Sequence, residues 1–549
     1  MIAPLLPLTI LYFILPLLLF ALGWLKSPLA EINTFLIAYT VFVASRDLFR
    51  WLRAIYWPTL RSNLLLLLPA FIILTIWLFL SGVGGFGFQN VDYRTHNALL
   101  HDLIVQEWPL MVSLNGVKTF IVYYMGYYLP AAWIGKRFGW TAANDFLFIW
   151  TWVGVILSFV WFWKTSAVNV HWRMPRTIGL ALLFCLAGGL DVVGYYAMRL
   201  SQFDITNHIE WWPYYFQYSS QTTLLYWVPQ QAIAAWLITG MVVDCIYEKH
   251  NLKYLGIALA SAILYSPFGL IGIVPFLLLL PFMYHPKLFP IRGLHLPRLS
   301  TLHTILLNFI AVWIGCVLLF YMVSNQFKFP MGLIWHGLSR PDLDWQNLAW
   351  ENLPLRLMDP KLLLIVLLLF FYLLEFGILA VVSLRIIHLG LRSPPVDNTD
   401  PTSSRIGKFA EGLQRNFKMR LEQWILFLTS IMVLLIIPLY KMGYLNDFTM
   451  RASIPSLFIF WAFIGKLILD FPLPRIGWLK FFYALIILIV LFGAFTSMGE
   501  ISRSIQKYHF GAPDETSISS SATALSHNLV EQRAGDLNSF FFRHLLKSP

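Results

Sequence analysis

Long runs of apolar residues dominate the chain, separated by short polar segments. The runs, of about twenty residues or somewhat fewer, lie at 5–25, 30–45, 64–82, 145–163, 177–197, 224–246, 303–324, 361–387, 424–440, 454–470 and 480–498. A helix needs roughly 20 apolar residues to cross the hydrocarbon core of a bilayer. The stretch 254–284 is long enough for two short helices broken around 266–269. The pattern predicts an all-α polytopic membrane protein with about 13 transmembrane helices.

The composition agrees with a membrane protein and excludes several soluble classes. Hydrophobic residues make up 58% of the 549-residue chain and charged residues only 12%, whereas a soluble domain carries about 25% charged residues. This shortage of charge argues against a soluble enzyme, a nucleic-acid-binding protein and a disordered scaffold. The formal net charge of +12 is therefore interpreted as charge asymmetry between loops on the two sides of a bilayer.

The loops between the apolar runs form a basic and an acidic group. The basic group holds 21 Lys and Arg against 7 Asp and Glu, and comprises 46–61, 164–176, 247–253, 285–302, 385–423 and 470–480. The acidic group holds 8 Lys and Arg against 10 Asp and Glu, and comprises 83–118, 198–223, 325–360 and 441–453. The positive-inside rule places the basic group in the cytoplasm. We therefore expect a multi-pass protein of the plasma (bacterial inner) membrane, with its N-terminus inside and its active site facing outward.

The same pattern divides the chain into five consecutive parts. They are an N-terminal helical hairpin with a basic loop (1–63), a first membrane module (64–391) with the acidic loop 83–118, a cytoplasmic linker (392–423), C-terminal transmembrane helices (424–498) and an outward tail (499–549). Segment 119–135 contains four tyrosines, Gly126 and Pro130, and Tyr favours the membrane interface. It is predicted to be a half-crossing or interfacial helix, with an ordinary transmembrane helix as the alternative.

The acidic loop carries the densest group of reactive side chains. They are Asp92, Arg94, His96, His101 and Asp102. A helix over 95–107 would begin just after Asp92, next to the membrane surface. Two carboxylates, two histidines and an arginine in this position favour a functional role. The alternative is a solvated amphipathic helix that Asp92 or Thr95 caps.

Asp191 lies among glycines inside an otherwise apolar run. A charged residue in a membrane helix is costly unless it is paired or hydrated, so by default it indicates function. The flanking Gly188, Gly189 and Gly194 would let a backbone or a ligand approach closely. The alternative is a carboxyl group paired with Arg or Lys on a neighbouring helix.

Two further outward loops supply candidates for substrate binding. Residues 208–231 interleave aromatic rings with amides and hydroxyls, among them Glu210, Gln217 and Gln230. Rings stack on the C–H faces of sugars and amides bind hydroxyls, but an aromatic belt at the membrane interface has the same composition. Arg451 is predicted at an outward helix start, where it could bind a phosphate. A snorkelling arginine is the alternative.

Common nucleotide and metal motifs are absent from the sequence. It contains no P-loop, HExxH or CxxC pattern, which argues against a nucleotide-driven pump. The spacing of Asp92, His96, His101 and Asp102 matches no standard metal site. We expect no required cofactor, and a divalent metal stays open.

The arrangement resembles the GT-C superfamily of polytopic membrane glycosyltransferases over residues 60–498. The resemblance rests on Asp92 in segment 92–97, on the Tyr- and Pro-containing segment 123–130 followed by Gly139, and on Asp191. It implies that Asp92 is the general base or the carboxylate that orients the acceptor, and that Asp191 is a second acidic residue of the site. It also implies that Arg451 holds the phosphate of a lipid-linked donor. The pattern departs from many members because Tyr93, and not a second acidic residue, follows Asp92.

The reaction implied by this resemblance is chemically coherent. A polyprenyl phosphate leaves as an anion, so it needs a cation such as Arg451 and no general acid. The acceptor hydroxyl needs a carboxylate such as Asp92, with His96 or Asp102 orienting it. Further substrate contacts are expected from Arg94, Glu210, Gln217 and Gln230.

The expected partners follow from this reaction. They are a polyprenyl-phosphate-linked sugar, a glycan, lipid or protein acceptor of the cell envelope, and membrane lipids, with no nucleic acid. The alternative functions are a membrane transporter or lipid flippase and a glycan polymerase or ligase. A transporter would place ionisable residues near the bilayer midplane on broken helices, which Asp191 and the break at 266–269 would fit.

Overall fold

The structure is a computed structural model. It describes residues 4–55, 57–114, 117–166, 174–198, 208–213, 216–248, 252–284, 302–327, 330–335, 360–391, 421–443, 446–470, 477–511, 513–518 and 533–547. The predicted linker 392–423 lies outside these ranges except for its last three residues.

Helices account for most of the described chain. They are α1 (Leu5–Trp24), α2 (Leu29–Ala54), α3 (Trp57–Phe79), α4 (Tyr93–Val105), α5 (Leu129–Ser166), α6 (Met174–Leu186), α7 (Asp191–Met198), α8 (Gln221–Trp227), α9 (Pro229–Glu248), α10 (Leu255–Ala262), α11 (Pro267–Leu277), α12 (Leu279–Tyr284), α13 (Leu302–Val323), α14 (Pro360–Tyr372), α15 (Ile378–Leu391), α16 (Leu421–Ile436), α17 (Asp447–Ala452), α18 (Ile454–Asp470) and α19 (Gly477–Gln506). A π-helical segment, Leu373–Gly377, joins α14 to α15.

Four short strands form two antiparallel pairs. Strand β1 (Met111–Leu114) pairs with β2 (Val117–Phe120), and β3 (Met331–Leu333) pairs with β4 (Tyr440–Met442). In the first pair Met111 is opposite Phe120. These hairpin-sized sheets are additions to a helical protein.

The helices have the length and composition of membrane spans. Among the described residues, nine helices are long and apolar enough to cross a membrane. Three shorter apolar helical stretches, Leu64–Phe79, Leu252–Ala262 and Pro267–Phe282, accompany them. The protein is therefore an all-α polytopic membrane protein, and the count of 13 crossings stays a prediction.

Two predicted interruptions can be compared with the structure. The break at 266–269 is confirmed, because α10 ends before it and α11 begins with Pro267 at its first position, where proline is favoured. The helix predicted over 119–135 is wrong for its first half, since the chain is in β2 up to Phe120 and helix α5 begins only at Leu129. Gly139, with φ of 86°, then interrupts α5, so the segment before it forms a separate short helical piece.

The chain forms two compact units, each built from separated stretches. Unit 1 comprises Met1–Trp161, Leu224–Pro330 and Ser504–Pro549, and unit 2 comprises Phe162–Thr223 and Met331–Arg503. Neither unit is one of the consecutive parts expected from the sequence.

Large aromatic residues fill the core of unit 1. Trp24, Trp161 and Trp236 are fully buried. The indole N–H of Trp161 donates to Thr9 Oγ1 at 2.9 Å, so a hydroxyl inside α1 satisfies this buried donor. Packing of apolar side chains in unit 1 thus keeps its polar atoms paired where they enter the core.

One face of unit 1 is covered by a segment that we call the strap, residues 513–518 and 533–547. Its backbone bonds to chain segments far away in sequence: Val122 N–H donates to Arg533 O at 2.9 Å, and Lys547 N–H donates to Trp24 O at 2.8 Å. Asp536 N–H donates to Ser324 O at 2.6 Å. The strap therefore joins the end of α1, the segment after β2 and the end of α13.

Polar residues from the predicted cytoplasmic loops also meet within unit 1. Lys253 Nζ lies 2.6 Å from Asp47 Oδ2, and Arg46 lies 2.8 Å from His303 Nε2. The loops that the charge count groups together are thus in contact. Which side of a membrane they face stays a prediction.

Aromatic stacking dominates the core of unit 2. The rings of Phe427 and Phe463 are stacked with centroids 3.8 Å apart, and Phe427 also stacks on Phe460 at 5.5 Å. These contacts join α16 to α18. Close packing at this point gives unit 2 a rigid frame for the polar side chains described below.

Candidate functional site

Asp92 immediately precedes α4, as the sequence predicts. The helix is amphipathic, with Leu99 and Leu103 buried and Arg94 exposed. Asp92 is half-buried and occupies the N-cap position, yet its side chain makes no capping hydrogen bond. The capped-helix alternative, in which Asp92 serves only to end the helix, therefore does not describe this residue.

His96 fixes α4 to two other parts of unit 1. Its Nε2 lies 2.9 Å from the carbonyl oxygen of Trp227, and its Nδ1 lies 2.6 Å from the hydroxyl of Tyr128. A carbonyl only accepts, so in the neutral ring Nε2 donates and Nδ1 accepts from Tyr128. Burial raises the pKa of Tyr128 well above its usual value, which keeps the phenol protonated as this donor role requires. With both nitrogens engaged, His96 positions α4 and has none left to orient Asp92.

Asp102 is buried at the other end of α4, where the strap covers it. Its Oδ2 accepts from the backbone N–H of Ile518 at 3.0 Å, and its Oδ1 lies 3.3 Å from His101 Nδ1. Burial raises the pKa of Asp102, while the hydrogen bonds from Ile518 and His101 oppose the rise. Asp102 thus holds the strap to α4, a positioning role and not direct contact with a substrate.

Buried polar atoms without partners mark another part of unit 1. Gln230, in α9, is fully buried, and neither its Oε1 nor its Nε2 has a hydrogen-bond partner among the described residues. The same holds for the hydroxyls of Tyr12 and Tyr265, whose rings lie 6.5 Å apart, and for Trp150 Nε1, whose ring stacks on Tyr12 at 4.2 Å. Buried polar groups are normally hydrogen-bonded, so water or a polar ligand would complete these positions.

The span that carries Asp191 in unit 2 is broken. Helix α6 ends at Leu186 and α7 begins at Asp191, so Asp191 is not inside a continuous helix as expected. The backbone groups released by the break are bonded elsewhere, with Gln221 N–H donating to Ala187 O at 3.0 Å and Leu190 N–H donating to Leu374 O at 3.1 Å. Non-helical backbone at membrane depth is tolerated where protein satisfies it.

Glycines allow neighbouring segments to enter the break. A side chain at Gly188 would lie 3.1 Å from the carbonyl oxygen of Gly493. A side chain at Gly189 would overlap the carboxyl group of Glu375. The close approach inferred from these glycines is therefore observed, and the group that approaches Gly189 is an acidic side chain.

Asp191 is fully buried and makes three side-chain contacts. Trp212 Nε1 donates to its Oδ1 at 3.0 Å, and Thr496 Oγ1 donates to its Oδ2 at 3.0 Å. The third contact is a hydrogen bond with Glu375. Among the described residues no ion pair joins Asp191 to Lys or Arg, so the proposed alternative of a simple salt bridge is not what holds it.

Glu375 comes from the π-helical segment of the span Lys361–His388. A π-bulge widens one turn and changes which side chains face inward, and such bulges recur at functional sites. Here the widened turn contains Glu375, which is 5% exposed. Its Oε1 has no hydrogen-bond partner among the described residues.

Glu210 lies in a cage of donors next to the broken span. Its Oε1 accepts from Ser220 N–H at 2.9 Å and from Thr223 Oγ1 at 2.6 Å, and its Oε2 accepts from Gln217 Nε2 at 2.8 Å. Burial raises the pKa of Glu210, the charge of His208 opposes the rise, and the charge of Asp191 adds to it. Two residues predicted to bind substrate, Glu210 and Gln217, are therefore bonded to each other.

His208 connects Glu210 to a further buried ion pair. Its Nδ1 lies 2.7 Å from Glu500 Oε1 and its Nε2 lies 3.9 Å from Glu210 Oε2. Glu500 also pairs with Arg503. Burial alone would lower the pKa of His208, but the hydrogen bond and charge of Glu500 and the charge of Glu210 raise it on balance.

Known proteins give no guide to these residues. Comparison of the chain with protein families, curated proteins and solved structures returned no match. Within the described ranges, no group of three or more His, Cys, Asp or Glu side chains could hold a metal ion. The interpretation of the site therefore rests on its own geometry.

The structure distributes the predicted site residues over the two units. Unit 1 contains Asp92, Arg94, His96, Asp102 and Gln230, and unit 2 contains Asp191, Glu210, Gln217 and Arg451. Arg451 lies in the last turn of the short helix α17, where it pairs with Asp447 at 3.2 Å. Their joint role in one reaction stays a prediction.

Several residues of the acidic cluster in unit 2 were not predicted as site residues. We use "acidic cluster" below for Asp191, Glu210, Glu375, Glu500, His208 and Arg503. Glu375 was detectable in principle, because it is the only acidic residue in the apolar run 361–387 and ionisable residues within spans indicate function. The contact of Glu500 with His208 had no such signal, since it depends on tertiary structure.

Proposed function

We propose that the protein is a membrane glycosyltransferase that moves a sugar from a polyprenyl-phosphate-linked donor to an acceptor of the cell envelope. The observation that supports it is Asp92, a half-buried carboxylate at the start of an amphipathic helix that it does not cap. A fixed carboxylate beside apolar helices is what an acceptor hydroxyl needs in order to lose its proton.

In this reaction the sugar–phosphate C–O bond breaks while the acceptor oxygen bonds to the anomeric carbon. Asp92 takes the acceptor proton, and the polyprenyl phosphate leaves as an anion. The phosphate charge needs a cation, for which Arg451 is the proposed residue. Arg451 now pairs with Asp447, so donor binding would replace or share that carboxylate.

The donor half of the proposal is tested by native mass spectrometry of the purified protein with polyprenyl phosphate. We expect lipid to be retained by the wild type and lost in Arg451→Ala. Arg94→Ala, which removes an exposed arginine of α4, serves as the control and should retain the lipid. Absence of binding to the wild type would contradict the transferase proposal.

A second candidate, a transporter, is favoured by one specific observation. The span Met174–Met198 is broken at Asp191, which begins its second half, and broken spans that carry ionisable residues are typical of transporter sites. Proteoliposomes with an internal pH-sensitive dye would test it. Wild-type vesicles that move protons when a candidate substrate is added, with transport lost in Asp191→Asn, would favour the transporter over the transferase.

A further inference from the structure

The contact between Asp191 and Glu375 carries an inference that does not depend on either function above. The two side chains are hydrogen-bonded to each other. Ionised carboxylates only accept hydrogen bonds. A hydrogen bond between two carboxyl groups therefore requires a proton on one of them, the arrangement found when two carboxyls share one site.

The neighbours of the pair indicate which residue carries that proton. Both oxygens of Asp191 accept hydrogen bonds, one from Trp212 Nε1 and one from Thr496 Oγ1, each at 3.0 Å. Glu375 has no such support, because its Oε1 lacks a partner among the described residues and the side chain is 5% exposed. Donors surround the carboxylate of Asp191, whereas an ionised Glu375 would leave a buried charge unsolvated. The neutral acid is therefore Glu375.

The charges around the pair favour the same state. The groups that face it from the neighbouring elements are Glu210, His208, Glu500, Arg503 and Tyr218. With the pair itself, four carboxyl groups share this region with two basic groups, so at least one neutral carboxyl reduces the repulsion. Tyr218 adds no charge, since its hydroxyl donates to the carbonyl oxygen of Leu434.

A second unsatisfied group lies at the same break. Gln221 Oε1 has no partner among the described residues although the side chain is 1% exposed, and its backbone N–H bonds to Ala187 at the end of α6. An unpaired acceptor here suits a site whose occupant is a proton or a water molecule that delivers it. The described residues offer no group able to hold a metal ion.

We propose that Asp191 and Glu375 form a proton-binding site in unit 2, in which Glu375 carries the proton and Asp191 accepts its hydrogen bond. Loss of the proton would leave two adjacent carboxylates beside the break between α6 and α7. Their repulsion would act on the broken span and on the π-helical segment, so proton occupancy is linked to the conformation of this part of unit 2.

The test is infrared spectroscopy of the purified protein at neutral pH, read at the carbonyl stretch of protonated carboxyl groups. Wild type minus Glu375→Gln should show a band that shifts in heavy water. Asp191→Asn should lose this band although Glu375 is still present, because an amide N–H at position 191 can donate to an ionised Glu375. Glu422→Gln, a half-buried carboxyl of α16 in the same unit, is the control and should retain it.

The possible results separate clearly. A band of equal size in the wild type and in Glu375→Gln would overturn the proposal. So would a band that sodium chloride removes and choline chloride leaves, since that would identify a metal cation as the occupant.

A second measurement uses the wild type alone, in case a variant does not fold. Apolar carbodiimides react with protonated carboxyl groups, so peptide mass spectrometry should find the label on Glu375 at neutral pH and little on the exposed Glu107. The labelled fraction of Glu375 should fall several-fold as the pH is raised. Label on other carboxyl groups with none on Glu375 would contradict a protonated Glu375.

Discussion

Glu500 Oε1 lies 2.7 Å from His208 Nδ1 although 292 positions separate the two residues in sequence. Both side chains are buried, and Glu500 also pairs with Arg503. This contact joins the end of α19 to the segment that leads into the donor cage of Glu210. It therefore ties the fold of unit 2 to a titratable group.

The stability of the protein should consequently depend on pH. The pKa of His208 is raised in the folded state, so folding is favoured by its proton; this contribution is complete below the unfolded value of about 6.5 and is lost as the pH rises through the folded pKa. Glu210, whose pKa is also raised, acts in the same direction from about pH 4.3 upward. We expect the melting temperature in detergent to fall as pH is raised above about 6.5.

Substitution identifies the source of that pH dependence. In His208→Gln the fall above neutral pH should be largely absent, because the titrating ring is gone. His509→Gln removes an exposed histidine and should leave the pH profile unchanged. Identical profiles in the wild type and His208→Gln would show that another group is responsible.

The hydrogen bond between His96 and Tyr128 should stabilise the attachment of α4. Removing one partner leaves a buried polar group unpaired, which costs about 1–3 kcal/mol. A double-mutant cycle with His96→Ala and Tyr128→Phe should give a coupling free energy of about 0.5–3 kcal/mol. Unfolding by heat or denaturant measures it, and additive effects of the two substitutions would rule out a direct interaction.

Asp92→Asn should abolish sugar transfer and leave the fold intact. An amide cannot accept the acceptor proton, and loss of a general base lowers kcat by about 10²–10⁴-fold. Asp145→Asn, at an exposed aspartate of α5 in the same unit, is the matched control and should keep full activity. The readout is transfer from a polyprenyl-phosphate-linked sugar in detergent, and an active Asp92→Asn variant would remove Asp92 from the proposed mechanism.

Gly240→Ala should destabilise unit 1. A methyl group at this position would overlap Cβ and ring atoms of Trp161, which is fully buried and cannot move aside easily. Overpacking of this kind costs about 1–3 kcal/mol. Gly315→Ala is the control, because its nearest neighbour would be 3.7 Å away, an ordinary contact. Equal melting temperatures for the two variants would contradict this reading of the core.

Much of the architecture was accessible from the sequence because it depends on local patterns. The apolar run 454–470 coincides with α18, and the break at 266–269 coincides with the start of α11 at Pro267. Helix α4 and the position of Asp92 before it were likewise predicted. Hydrophobic length and the preference of proline for a helix start are properties of a few neighbouring residues.

The contacts that decide the candidate site were not accessible in this way. Asp191 was identified from its position in an apolar run, but its partners Trp212, Glu375 and Thr496 come from three other segments. The run 177–197 also gave no sign of a break, since its interruption depends on backbone bonds to Leu374 and Gln221. The roles of His96 and Asp102 changed for the same reason, because their partners are distant in sequence.

The strap has a consequence for how the protein is made. Its last described residue, Lys547, bonds to Trp24 in the first helix, so unit 1 cannot be completed until nearly the whole described chain has left the ribosome. The segments of α1, β2 and α13 that the strap covers must therefore wait in the membrane with their backbone groups unpaired. During synthesis this face of unit 1 is the part most in need of a chaperone, and it is the last part of unit 1 to become resistant to proteases.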